Sequence, residues 1–121
     1  MPSKAWLGSA ALFVSLCASA ACSDDKSESG LACNPVAPSS CPSPAPSYSQ
    51  VATIVKARCS SCHAEGQVQW PLSDYDDLAD WHDQVKAMMQ TCTMPPPDAG
   101  IEMPVEEREL ILAWIRCGMP K

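Results

Sequence analysis

The sequence predicts an all-α fold. Apolar residues recur at the spacing of an amphipathic helix in three separate segments. Residues typical of helix ends flank these segments, and no segment alternates apolar and polar residues as a half-buried strand does. With 121 residues, the chain is long enough for one small domain. We therefore expect a domain of three or more short helices.

The first predicted helix begins after Ser47. Ser47 and Gln50 have the spacing of a capping box, which satisfies free backbone N–H groups at a helix start. Apolar residues follow at helical spacing: Val51, Ile54 and Val55. This helix leads directly into the stretch CSSCH at residues 59–63.

The second predicted helix begins after Ser73. Its first turn is acidic, which stabilises the positive end of the helix dipole. The acidic residues are Asp74, Asp76 and Asp77, and the apolar face that follows comprises Leu78, Trp81, Val85 and Met88.

The last predicted helix begins at residue 104 or 105 and ends before Gly118. Glu106 and Glu107 lie near its start and Arg116 lies near its end, and both arrangements favour the helix dipole. Its apolar stripe comprises Leu110, Ile111, Trp114 and Ile115.

Residues 1–21 resemble an export signal. Lys4 precedes an apolar run that ends in small residues, and the run is short for a membrane span. We expect cleavage directly before Cys22, as in bacterial lipoproteins, because small residues precede this cysteine and a polar stretch follows it. The protein would then be exported and lipid-anchored through Cys22, on the periplasmic side of a membrane or at the cell surface. The alternative is cleavage before Ala21, which leaves a soluble periplasmic or secreted protein.

Residues 22–47 are rich in Ser, Pro and Ala, with five prolines between Pro35 and Pro46. Such a stretch has few apolar residues to offset its ordering entropy, so it predicts a semi-rigid tether that carries the anchor. The folded domain is therefore expected at residues 48–121.

The chain contains eight cysteines, more than an average domain of its size. Cys17 falls in the signal, and two cysteines belong to CSSCH. Because the protein is expected in an oxidising compartment, we predict one disulfide within the tether and one within the domain. The expected pairs are Cys33–Cys41 and Cys92–Cys117.

The stretch CSSCH is the attachment motif of c-type haem. In this motif the thiols of Cys59 and Cys62 bind the two haem vinyl groups, and the imidazole of His63 binds the iron. We therefore predict one covalent haem c per chain. Because three short helices bury only a modest core, the porphyrin would also complete the apolar centre.

Three interpretations without haem are alternatives to the haem attachment site. A redox-active dithiol usually lies in a βαβ setting, which this sequence lacks. A zinc site would need Cys92 and Cys117 beside the CSSCH thiols, but they do not form a second close pair. A haem-free surface module stabilised by disulfides is the third alternative.

Three longer segments accompany the attachment motif, and together they resemble a known family. CSSCH followed by MPPP and ILAWIRCGMP resembles small class I cytochrome c domains of bacteria. More narrowly, WPLSDYDDLADWHDQV, TMPPP and ERELILAWIRCG are similar to short cytochrome c modules in exported proteins of myxobacteria and planctomycetes. The resemblance covers residues 48–120. It implies a cytochrome c-like fold, in which the first and last helices cross and the helices wrap around one haem with a partly exposed edge.

The predicted sixth ligand of the haem iron is Met94. A thioether suits haem iron and raises its reduction potential. Met94 precedes three prolines, whose fixed φ stiffens the loop that presents it, and the resemblance points to the same residue. Met103 and His82 are the alternatives, whereas Met88 and Met89 suit a helix face directed at the core.

The sequence therefore predicts an electron carrier rather than an enzyme, because a haem with two protein ligands has no open position for substrate. A haem-based ligand sensor or a peroxidase-like enzyme with an open or labile sixth position is the alternative. Residues 48–121 contain six Lys or Arg and eleven Asp or Glu, a net charge of −5. This charge argues against nucleic acid and favours a redox protein with a basic docking face as the partner.

Overall fold

The computed structural model describes residues 33–67 and 70–121. The signal, the candidate lipid site Cys22 and the first part of the tether lie outside the described residues. Within the described ranges the chain forms helices and no strand, which confirms the predicted all-α class.

Five α-helices make up the described part of the domain. They are α1 at Tyr48–Arg58, α2 at Ser60–His63, α3 at Tyr75–Asp80, α4 at His82–Thr91 and α5 at Val105–Arg116, with one 3₁₀ turn at Pro97–Ala99 between α4 and α5. The predicted starts of the first and last helices are confirmed to within one residue.

Helix α1 begins at the predicted cap, where the backbone N–H of Ser47 donates to the Gln50 side chain at 2.9 Å. Its apolar face is buried in the core. Helix α1 ends at Arg58, and after Cys59 the attachment motif forms one further helical turn, α2, in which the His63 N–H donates to the Cys59 carbonyl at 2.9 Å. The motif is therefore helical, and its cysteines and histidine are fixed relative to α1.

The predicted second helix is divided in two at Trp81. Asp74 caps α3, with its carboxylate accepting from the Asp77 N–H at 2.9 Å. The His82 ring nitrogen Nδ1 then lies 2.6 Å from the Ala79 carbonyl. In a continuous helix the Ala79 carbonyl would accept the backbone N–H of Asp83. The His82 ring takes the place of that N–H, so the helical hydrogen-bond pattern is interrupted and the chain changes direction.

Helix α5 packs against both α1 and α4 and carries much of the core. Trp114 is fully buried, and its indole N–H donates to the Pro120 carbonyl at 2.8 Å. Tyr48 and Tyr75 pack around the same indole. The buried apolar core comprises Val51, Ile54, Val55, Leu78, Met89, Met103, Ile111, Leu112 and Trp114.

The disulfide pairs differ from the prediction. Cys33 pairs with Cys92, and Cys41 pairs with Cys117, so the expected Cys33–Cys41 and Cys92–Cys117 pairs are wrong. The physical reason is the path of residues 33–47, which run along α5 and bring each of their cysteines to the end of a different helix. The Val36 N–H also donates to the Glu109 carboxylate at 2.9 Å on α5. This segment, the N-terminal strap, is thus cross-linked to the helices.

The two disulfides indicate an oxidising compartment, as expected for an exported chain. Every helix in the described part of the chain is too short or too polar to cross a bilayer.

Candidate cofactor-binding site

One cavity of about 260 Å³ lies between the attachment motif, the α3–α4 face and the loop that contains Met94. Its wall is almost entirely apolar. The predicted apolar face of the second helix points into this cavity, rather than only into the core. The lining residues are Val55, Arg58, Cys59, Cys62, His63, Trp70, Leu72, Leu78, Trp81, Gln84, Val85, Met88, Met89, Met94, Pro95 and Ile111.

Cys59 and Cys62 are the two free cysteines among the described residues, and both line the cavity. Cys59 is half-buried and Cys62 is exposed. The zinc alternative is wrong as stated, because Cys92 and Cys117 are consumed by disulfides. Furthermore, no group of three or more potential ligands among His, Cys, Asp and Glu is positioned to bind a metal ion in the ranges described.

Burial raises the pKa of the Cys59 thiol to about 11; the Arg108 charge opposes this shift, and the Glu107 carboxylate adds to it. Redox-active and nucleophilic cysteines show the opposite behaviour, a lowered pKa that exposes the thiolate at neutral pH. Cys59 therefore lacks the electrostatic setting of a thioredoxin-like dithiol.

His63 is held in one ring orientation. Its Nδ1 lies 2.9 Å from the Trp70 carbonyl, and its own carbonyl accepts the Leu72 N–H at 2.8 Å. Because a carbonyl oxygen only accepts hydrogen bonds, the ring proton must lie on Nδ1. In the neutral ring this leaves the lone pair on Nε2, which is the form of histidine that binds a metal.

Met94 lines the cavity, and the two alternative sixth ligands do not. Met103 is buried in the core, and His82 lies on the other side of α4, beside Asp83 in a shallow groove under the N-terminal strap. Met88 and Met89 also reach the cavity from α4, so three methionines line it.

Arg108 is a buried arginine on α5 that sequence reasoning missed. It is 5% exposed, and its Nη1 donates to the Met94 carbonyl at 2.6 Å. The same nitrogen lies 3.9 Å from the Met89 sulfur. A signal was present in the sequence, because Arg108 lies three residues before Ile111 on the apolar stripe of the last helix.

Arg58 forms a two-pronged ion pair with Glu107 across α1 and α5, with N···O distances of 2.8 and 2.9 Å. Its guanidinium is therefore engaged beside Cys59. At the opposite rim, the rings of Trp70 and Trp81 meet edge to face with their centroids 5.9 Å apart. Trp70 is 51% exposed, so the rim presents an aromatic surface to solvent.

Comparisons with protein-family models, curated proteins and solved structures found no match to this chain. The indications of function in this chain are its motifs and the geometry of the cavity.

Proposed function

We propose that this protein is an exported mono-haem c-type cytochrome that carries single electrons. The strongest support comes from four residues that line one cavity. The two free cysteines, the histidine with a free Nε2 lone pair and the loop methionine Met94 all line the same apolar cavity. Haem c, when bound, exchanges one electron at a time between the ferrous and ferric states of its iron.

The residues present fit this group. In attachment, each thiol adds across one vinyl C=C bond: the sulfur bonds to one carbon, and the thiol hydrogen goes to the other. No external oxidant is needed, but both cysteines must be reduced. Cys59 and Cys62 meet that condition, whereas the other four described cysteines are paired in disulfides.

His63 would bind the iron through Nε2 while the Trp70 carbonyl holds its Nδ1 proton. Such a second contact fixes the tautomer of a metal-binding histidine and makes it a stronger ligand. The apolar wall would exclude water and so favour the less charged ferrous state.

Met94 is the proposed sixth ligand because it is the cavity methionine that a loop presents. Met89 is almost fully buried, and its sulfur already contacts Arg108. Met88 extends from the regular helix α4, whereas Met94 lies in the loop that follows it. Covalent attachment would also explain how a cavity of about 260 Å³ retains a group as large as haem.

Carbon monoxide binding tests this ligation. We expect the reduced protein at neutral pH to bind carbon monoxide slowly or not at all, and the ferric protein to show the red-region iron–thioether charge-transfer band. Met94→Ala should abolish the band and permit rapid binding, whereas Met88→Leu, which also alters a methionine of the cavity lining, should change neither. Rapid binding by the unaltered protein would instead support a ligand sensor or a peroxidase-like enzyme.

The net charge of −5 over residues 48–121 favours a redox partner with a basic docking face. We expect electron exchange with such a partner to slow as ionic strength rises, because salt screens the attraction. A rate independent of salt would refute electrostatic steering.

The lipid anchor on Cys22 is part of the proposal. Intact-mass measurement of the exported protein tests it directly, since acyl chains add mass to the new N-terminal cysteine. A mature mass without acyl chains would leave a soluble periplasmic or secreted cytochrome.

A further inference from the structure

The Met94 loop has few hydrogen bonds of its own. Residues 95–97 are prolines and carry no backbone N–H, so this part of the loop cannot donate a hydrogen bond to the rest of the domain. The Thr93 N–H donates to the Met88 carbonyl at 3.2 Å on the near side, and the next backbone donor is Ala99, to Pro96, at 3.0 Å. Contacts from other elements must therefore position Met94.

Arg108 provides such a contact. Its Nη1 donates to the carbonyl of Met94 itself, at 2.6 Å, across the space between α5 and the loop. The Cys33–Cys92 disulfide fixes the loop two residues earlier. Together these two attachments hold the backbone on which the Met94 side chain is mounted.

The environment of Arg108 is unusual for a residue with a purely structural role. Among the described residues, Arg108 is the one charged residue whose side chain is buried. In that part of the chain its guanidinium forms no ion pair, and its Nε has no hydrogen-bond partner. The neighbouring carboxylate Glu107 is occupied by Arg58. A buried cation without a carboxylate destabilises a fold, and an apolar residue of similar volume would pack there at lower cost. The arginine is therefore better explained by what it holds.

We infer that Arg108 is a positioning residue, whose guanidinium holds the Met94 carbonyl so that the Met94 thioether faces the cavity as the sixth ligand. This inference rests on the proposed haem site. Removing the contact would leave Met94 able to reach the iron but would increase the fraction of molecules in which it has swung away. The expected signature is an open iron site in a protein that still carries covalent haem.

The test compares Arg108→Gln with Arg116→Gln in haem-loaded protein. Arg116 is the matched control, because it lies on the same helix and also donates to a backbone carbonyl, that of Ser39. The readouts are the iron–thioether band of the ferric protein and the rate of carbon monoxide binding to the ferrous protein, with circular dichroism to verify folding.

For Arg108→Gln we expect a weaker band and carbon monoxide binding about 10-fold to 100-fold faster, as the loss of a charge-assisted hydrogen bond implies. Arg116→Gln should match the unaltered protein. In a Met94→Ala background the Arg108 substitution should have no further effect, because both changes open the same position. An additional increase in that background would contradict action through Met94.

A folded, haem-loaded Arg108→Gln with an unchanged band and rate overturns the inference and leaves the proposed function standing. If the unaltered protein carries no covalent haem, the proposed function fails as well. If Arg108→Gln does not mature with haem, Arg108→Lys decides. The lysine side chain is shorter and ends in a single nitrogen, so it does not reproduce the geometry of the guanidinium. We therefore expect a smaller weakening of the band and a smaller increase in the rate of carbon monoxide binding. A wild-type band and rate in Arg108→Lys would overturn the inference.

Discussion

The two disulfides offer a matched pair of perturbations, because they close loops of equal effective length. When one disulfide is intact, the two cysteines of the second disulfide are already linked through it. The shortest covalent path between them runs along both chain segments and across the intact disulfide. Cys33 and Cys41 are 8 positions apart and Cys92 and Cys117 are 25 positions apart, so this path is about 33 residues in both cases. Loop-closure entropy then assigns about 4 kcal/mol of stabilisation to each bridge at 25 °C.

Replacing both cysteines of one bridge with serine should therefore lower the free energy of unfolding by about 2–4 kcal/mol, whichever bridge is removed. Urea denaturation of the two double variants, followed by far-UV circular dichroism, measures this loss. The two variants should differ in the cavity. Cys92 lies two residues before Met94, whereas Cys117 lies at the end of α5.

We accordingly expect removal of Cys33–Cys92 to weaken the iron–thioether band, and removal of Cys41–Cys117 to leave it unchanged. A stability loss below about 1 kcal/mol for either variant would refute the loop-entropy argument. Equal effects of the two variants on the band would show that the Cys33–Cys92 bridge does not position the Met94 loop.

Three further predictions address the core, the ligand and the thiols. Trp114→Ala should cost about 3–5 kcal/mol in urea denaturation, because it empties the centre of the core and removes the hydrogen bond to Pro120; a loss under about 1 kcal/mol would contradict this packing. Met103→Ala should destabilise the domain by about 2–5 kcal/mol while the iron–thioether band persists, since Met103 lies in the core and outside the cavity; loss of the band would instead identify Met103 as the ligand. In folded haem-free chain, burial keeps the Cys59 thiol protonated, so its alkylation by iodoacetamide should reach half its maximal rate near pH 11, against about 9.0 in urea. Haem-loaded protein should not react at this cysteine at any pH, and a folded-state midpoint near 9.0 would show that Cys59 is not buried as described.

Local sequence signals predicted the parts of the fold that depend on neighbouring residues. The capping pair Ser47 and Gln50 acts within one helical turn, so its spacing was sufficient to locate the start of α1. The acidic residues after Ser73 located the start of α3 to within one residue, although Asp74 proved to be its cap rather than part of its first turn. Helical periodicity also predicted one wall of the cavity, because it places four apolar residues on one side: Leu78, Trp81, Val85 and Met88.

The features that the sequence did not predict depend on contacts between distant segments. The disulfide partners are 59 and 76 residues apart, and only the path of the N-terminal strap along α5 determines which cysteines meet. The break at Trp81 arises because the His82 ring competes for the Ala79 carbonyl, a choice that periodicity does not reveal. Arg108 is buried with its Nη1 donating to the Met94 carbonyl, and no pattern within α5 identifies that partner.

The proposed function requires that Cys59 and Cys62 hold one covalent haem. The most direct measurement is intact-mass and peptide-mass analysis, together with a haem stain on a denaturing gel, of protein produced with a haem-attachment system. We expect the added mass of one haem on the peptide that contains residues 59–63, and its absence from a variant with both Cys59→Ala and Cys62→Ala. A colourless chain of unmodified mass, with both thiols free after maturation, would contradict it.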